Sequence, residues 1–343
     1  LNIYEKSGYL NVPAIANLSN INFYVLLGAR RIGKTYGTLK YLLEQKEPFI
    51  FIRRTMTELE AMAANGELNP FFPIDPEVYF ERADKYTFYI CRGLEEEKQT
   101  IGLASALTTF SKMRGFNGDK FKYIIYDEFI PERHVQKIKA EGDALLNLYV
   151  TVNSNRELEG LPAVKMFLLA NSNNLANDVL ASLGITDKID RMIKQGQEYS
   201  ILPDSGLFIL MSNSSPIAER RSKTAIYKLL DKDSEFYKMS INNEFAYNDR
   251  HDVRQKDYRH YTPIIKYVHD EKTVFIVGRS VQGDYYLYNM PIKCRAEIAD
   301  NETGRKLFAT TYRNLYWAYI SDSVSFQTFS IKTRFLDIFE NSR

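Results

Sequence analysis

At 343 residues the chain is longer than a typical single domain, and two domains are the natural expectation. Lys+Arg 45 against Asp+Glu 43 leaves a formal charge of +2, which excludes a protein that coats nucleic acid by bulk charge and confines such contacts to local patches. The cysteines and histidines fall at no metal or redox spacing, and no apolar run or leader points to a membrane, so a soluble protein of a reducing cytosol without a zinc site is expected.

Residues 1–20 read as an arm ahead of the first strand. The apolar run 23–27 is predicted as a buried strand. It leads into Gly28-Ala29-Arg30-Arg31-Ile32-Gly33-Lys34-Thr35, continuing into Tyr36. This is the Walker A spacing, in which glycines let the backbone turn tightly and aim successive N–H groups at a polyphosphate. The helix opening at Lys34 adds the positive end of its dipole. Residues 28–36 are therefore the expected nucleotide contacts, with Lys34 on the β/γ-phosphates and the Thr35 hydroxyl on Mg²⁺. A helix over 35–45 places Leu39, Leu42 and Leu43 on one face.

Residues 49–52 form a second apolar strand ending at Arg53-Arg54, and 57–64 a helix with Thr57 and Glu60 spaced as a capping box. Residues 86–91 and 100–103 read as a hairpin around a solvated acidic tip. The polar stretch 104–119 carries Lys112 and Arg114 and leads, past Lys120 and Lys122, into the apolar run 123–126 and then Asp127-Glu128. That is the Walker B form: a buried strand delivers Asp127 to Mg²⁺, and Glu128 beyond it polarises the attacking water. A helix over 140–152 follows, with Arg156 just past it. Residues 164–170 are a further buried strand ending at Asn171, which either senses a γ-phosphate or caps the next helix.

Strands alternating with helices give a doubly wound, mostly parallel α/β domain over 1–199. A lid and linker over 200–238 and a smaller α+β domain over 239–343 complete the chain. In the last of these, 273–277 and 285–288 read as a hairpin and 328–339 as an amphipathic helix. A strand lies between the two Walker motifs in sequence, so they are expected on non-adjacent strands. Glu beside Asp favours an ATPase of the additional-strand, catalytic-glutamate type. A small-metabolite kinase shares the phosphate cradle but needs neither Glu128 nor the C-terminal domain, and a nucleotide-gated scaffold has no use for Glu128.

The Walker A octet, Phe-Ile-Arg-Arg at 51–54, Tyr-Asp-Glu-Phe-Ile at 126–130 and Leu-Leu-Asn-Leu at 145–148 resemble the genome-packaging ATPases of small podophages. Leu-Pro-Asp-Ser at 202–205, Glu-Arg-Arg-Ser-Lys-Thr at 219–224 and Met-Ser-Ile-Asn-Asn-Glu-Phe at 239–245 extend the similarity over most of 20–290. These proteins are similar to terminases and ring-forming DNA translocases. The resemblance implies ATP and Mg²⁺ as cofactors and a homopentameric ring in the host cytoplasm. It implies docking on a procapsid portal, often through a structural RNA, and pumping of double-stranded DNA, with no membrane involved.

The family's trans-acting arginine lies in the stretch matching 153–156, where this chain keeps only Arg156, with Ser154 nearby. Arg30 or Arg31 is then the arginine acting within one subunit. Terminases continue into an RNase H-like nuclease, but residues 274–280 hold no acid, which implies a nuclease relic that binds without cutting. A translocase grips duplex through phosphate-directed cations. Lys112 and Arg114, with Lys120 and Lys122, are the expected DNA contacts, and the cluster Arg220, Arg221 and Lys223 is the alternative.

Overall fold

Short apolar runs bounded by charged or turn-forming residues build the larger of two sheets. Its strands are β1 (Phe23–Gly28), β2 (Phe49–Arg53), β3 (Val78–Arg82), β4 (Thr87–Arg92), β5 (Gln99–Ala106), β6 (Tyr123–Asp127), β7 (Lys165–Asn171), β8 (Tyr199–Leu202) and β9 (Leu207–Ser212), in the order β3-β4-β5-β2-β6-β7-β1-β9-β8. From β5 through β2, β6, β7 and β1 to β9 every pairing is parallel, and β4, β3 and β8 extend the edges antiparallel. Helices α1 (Val12–Ala16), α2 (Lys34–Gln45), α3 (Met56–Ala64), α4 (Leu107–Phe110) and α5 (Glu141–Asn153) connect or cover these strands. Covering both faces of a parallel sheet makes its strands continuous hydrophobic runs, as the wholly buried Phe49-Ile50-Phe51-Ile52 of β2 shows.

The computed structural model describes all residues except 111, 113–117, 133–134, 136, 172–174, 213–221, 235–236, 238–251 and 341–343. It divides into one unit of Leu1–Asn174 with Arg191–Ala246 and another of Leu175–Asp190 with Tyr247–Arg343. This differs from the linear division 1–199, 200–238 and 239–343. Two helices explain the first difference: α6 (Asp178–Ser182) and the start of α7 (Thr186–Lys194) belong to the second unit. There α6 buries Val179 and Leu180, and Asp187 accepts the backbone N–H of Ser330 at 3.2 Å. The second difference lies in 200–238, expected as lid and linker, because β9 pairs with β1 along its whole length. Phe208, Ile209, Leu210 and Met211 are all fully buried, so this run is a sheet strand.

Two local readings change as well. The cap of α3 is Thr55, whose side chain accepts the N–H of Glu58, rather than Thr57. The arm over 1–20 is packed on the P-loop: Leu10 N–H donates to Ile32 O at 3.0 Å, and Val12 and Ile15 are fully buried.

Gly118, just ahead of β6, lies against α5 so closely that a Cβ there would fall 2.7 Å from Val152 Cα. Backbone cannot yield as a flexible side chain can. Gly118→Ala is therefore expected to lower the stability of the first unit by about 1–3 kcal/mol, read from urea unfolding followed by far-UV circular dichroism.

The second unit holds a five-stranded sheet of β10 (Thr262–His269), β11 (Lys272–Arg279), β12 (Tyr285–Tyr288), β13 (Glu297–Ala299) and β14 (Val324–Phe326), in the order β13-β10-β11-β12-β14. The β11–β12 hairpin is the one expected, but β10 precedes it and pairs with it antiparallel. The acid-free run at 274–280 is thus the second strand of this sheet, and β10, its first, carries no Asp or Glu either. Helix Phe329–Glu340 buries Ile331, Phe335, Ile338 and Phe339, as its pattern predicts. The Asp300 side chain is fully buried, accepts from Tyr267 Oη at 2.9 Å and Arg305 Nε at 2.7 Å, and pairs with Arg334. Burial alone would raise its pKa, but Arg334 and Arg305 outweigh it and hold the carboxyl below its ordinary value. Among the described residues no helix is long and apolar enough to cross a membrane.

Candidate nucleotide site

Strands β1, β7 and β6 lie side by side and parallel, so their C-terminal ends share one edge of the sheet. Gly28 is in register with Asn171, and Asp127 with Leu169. The Walker strands are thus separated by β7, the non-adjacent arrangement expected. After β1 the loop turns at Arg31, φ 64°, and at Gly33, φ 91°, which opens α2. A left-handed φ is strained for most side chains, and a Cβ at Gly33 would also press on the Tyr9 ring at 3.3 Å. The ammonium of Lys34, a buried residue, donates to Gly28 O at 3.0 Å, Ala29 O at 2.8 Å and Asn171 Oδ1 at 3.2 Å. Asn171 therefore faces the loop, and α6 has its own cap, Asn177.

Thr35 Oγ1 donates to Asp127 Oδ1 at 2.8 Å. A hydroxyl and a carboxylate this close are oxygen donors of the kind Mg²⁺ takes, so the residues present fit that ion. The other Asp127 oxygen accepts from Arg53 at 2.9 Å. The same guanidinium donates to Glu128 Oε2 at 2.7 Å and to Glu58 Oε2 at 3.3 Å. Burial would lower the Arg53 pKa, yet the charges of Asp127 and Glu128 raise it overall. Burial likewise lifts the Asp127 carboxyl above its ordinary value, against the pull of Arg53. Glu128 itself has φ 57°, which turns the chain sharply off the strand end.

Next in sequence, Arg54 forms a buried fork on Glu141, with Nε–Oε1 at 2.9 Å and Nη2–Oε2 at 3.2 Å, and Tyr126 Oη donates to the same carboxylate. Glu141 is the first residue of α5, so this network ties the ends of β2 and β6 to that helix. Neither Arg53 nor Arg54 is assigned a role by motif reading. The available signal was charge: two arginines closing a fully buried strand need acidic partners.

A family model of the podovirus DNA encapsidation protein (Gp16) matches residues 4–297. The chain belongs to this family. Two solved chains share the fold of this chain over nearly its whole length. One, from the Phi-28 gp11 DNA packaging motor, is 15% identical with a TM-score of 0.64, covering 97% of this chain and 98% of its own. The other, from the bacteriophage Phi-29 viral genome packaging motor assembly, is 20% identical with a TM-score of 0.62, covering 98% and 99%. No curated protein matches.

The chain does not bring every expected residue to this edge. Arg156 is buried, and its guanidinium donates to Asp119 O at 2.6 Å and Pro162 O at 3.0 Å. Those carbonyls precede β6 and β7, so Arg156 lies at the opposite edge of its own sheet, spent on backbone. The expected DNA contacts also divide. Lys112 follows α4 at the edge where β5 ends, its ammonium 5.4 Å from the Tyr86 ring centroid. Lys122 pairs with Glu47 at 2.6 Å where β6 and β2 begin, and Lys120 lies over Phe121, so these two are at the far edge. Arg114, Arg220 and Arg221 lie outside the described residues. Arg30 pairs with Glu132, and Tyr36 is half-exposed at the start of α2.

Proposed function

We propose that this chain hydrolyses ATP at the edge formed by β1, β7 and β6. It would use that energy to move double-stranded DNA as one subunit of a homopentameric ring at a procapsid portal, with a structural RNA between ring and procapsid. The observation that carries the reading is the convergence of Lys34, Thr35, Asp127, Glu128 and Asn171 from separated sequence positions onto one strand edge. Thr35 and Asp127 would hold Mg²⁺, which supplies charge neutralisation on the phosphate chain. Lys34 trades loop carbonyls for phosphate oxygens, Asn171 stays within reach as a sensor, and Glu128 orients and deprotonates the attacking water. Arg30 is the arginine placed on its own subunit's phosphates. Arg156 enters this reading as a brace between the segments leading into β6 and β7 rather than as a trans-acting group.

The second unit is read as an inactive, nuclease-like nucleic-acid-binding domain, because β10 and β11 offer no carboxylate to hold catalytic metal ions. For the DNA grip, Lys112 and Arg114 are preferred over Lys120 and Lys122, since Lys112 shares the nucleotide edge.

Phosphate release with and without duplex DNA tests the proposal. The native chain should be stimulated by DNA and Lys34→Ala should release nothing. The double variant Lys112→Ala/Arg114→Ala should lose the stimulation and bind DNA with a log–log salt slope shallower by about 0.9 for each DNA phosphate it no longer neutralises. Native phosphate release indifferent to DNA would overturn the translocase reading.

A further inference from the structure

Arg53 answers to no part of the phosphate cradle, yet it is buried in the middle of the acidic group. Three carboxylates converge on its guanidinium: Asp127 at 2.9 Å, Glu128 at 2.7 Å and Glu58 at 3.3 Å. Both oxygens of Asp127 are then engaged, Oδ1 by Thr35 and Oδ2 by Arg53. The two partners differ in kind. A hydroxyl and a carboxylate can both turn their oxygens onto one metal ion, so the Thr35 contact is compatible with Mg²⁺. A guanidinium is a cation with donors only, and cannot share a carboxylate with a second cation without repulsion.

We propose that Arg53 is a positioning residue that serves as a stand-in cation for Asp127 and Glu128 when Mg²⁺ is absent, and that it releases Asp127 while keeping Glu128 when Mg²⁺ enters with ATP. The proposal rests on the reading of Thr35 and Asp127 as Mg²⁺ ligands. Without such a cation, Asp127 and Glu128 would be adjacent, uncompensated charges at the end of a buried strand. Glu58 gives the released guanidinium somewhere to go. It lies in the first turn of α3, where its own N–H is bonded to the Thr55 side chain at 3.4 Å, and its side chain is 30% exposed. Arg53 therefore moves from three acids to two, and the one it keeps beside Glu58 is the acid assigned to water. Metal entry and orientation of Glu128 become a single exchange of partners.

The test is Mg²⁺ titration of the full chain binding a non-hydrolysable fluorescent ATP analogue. Arg53→Gln removes the competitor for Asp127, so the half-saturating Mg²⁺ concentration should fall about tenfold, the scale of one charge-assisted hydrogen bond. In the presence of a chelator the same variant should bind the analogue more weakly than the native chain, because nothing then screens Asp127 and Glu128 from the phosphates. Glu58→Gln removes the alternative anchor, holds Arg53 on Asp127, and should shift the half-saturating concentration upward. Opposite shifts set this apart from structural damage, which would weaken both variants alike. Should Arg53→Gln fail to fold, Glu58→Gln should still bind the analogue as the native chain does in the presence of a chelator, where damage would weaken it. A weakened Mg²⁺-free binding would overturn the role given to Glu58. Native binding that needs no Mg²⁺ would overturn the ligand assignment and this proposal with it. Native binding that needs Mg²⁺, with neither variant shifting its concentration, would overturn the role of Arg53 alone.

Discussion

Glu128→Gln is expected to retain ATP while hydrolysing it roughly 10²–10⁴ times more slowly, the usual cost of removing a well-placed general base. The substitution keeps shape and length, and Gln tolerates the left-handed backbone at φ 57° no worse than Glu. It removes only the ability to take a proton and one of the charges paired with Arg53. Retained nucleotide on a filter, with a phosphate burst absent in rapid-mixing experiments, is the expected signature. Hydrolysis at the native rate would mean that another group activates water.

The largest stability effect is expected at Arg54. It is 2% exposed and holds Glu141, itself 3% exposed, through two hydrogen bonds. Arg54→Leu strips the buried carboxylate of its counter-charge while Tyr126 still donates to it, and should cost the first unit about 3–5 kcal/mol. Replacing both partners, Arg54→Leu with Glu141→Leu, removes the orphaned charge and should recover most of that loss. With two compact units, a probe confined to one of them separates their transitions. Trp317, the chain's sole tryptophan, belongs to the second unit, so its fluorescence reports that unit while far-UV circular dichroism follows both. A loss seen equally in tryptophan emission would place the damage outside the Arg54 network.

The local parts of the candidate site are legible in the residues themselves. The P-loop needs a strand, a glycine turn and a helix start within a few positions, and the Walker B acids follow an apolar run directly, so both are visible without a fold. Asn171 is half-visible: its place at a strand end is legible, but only the pairing of β7 with β1 turns it toward Lys34. What stays hidden depends on partners far away in sequence. Arg53 meets Asp127 across 74 positions, and Arg54 meets Glu141 across 87. Arg156 reads as a surface charge at a helix end or as a group for a neighbouring subunit, whereas in the fold it is buried and donates to the carbonyls of Asp119 and Pro162. Lys112 and Lys122, ten positions apart, read as one patch, whereas Lys112 follows the end of β5 and Lys122 precedes the start of β6, and because both strands run parallel to β2 these are opposite edges of the sheet. The α6 segment gives no hint in its own composition that it leaves one unit for the other.

Strand β7 has a mechanical consequence. It is laddered to β1 from Phe23 to Gly28 and to β6 from Tyr123 to Asp127, all in parallel register. Sliding β1 against β6 would require breaking those ladders together, so the three strands act as a stiff frame. Under load, such a frame does not deform first; the segments projecting past its ends do. Side chains reaching over the gap, Lys34 to Asn171 and Thr35 to Asp127, are the compliant elements at this edge. Any stroke driven from here is therefore set by how far side chains and loops swing on a fixed base, rather than by travel of the sheet itself.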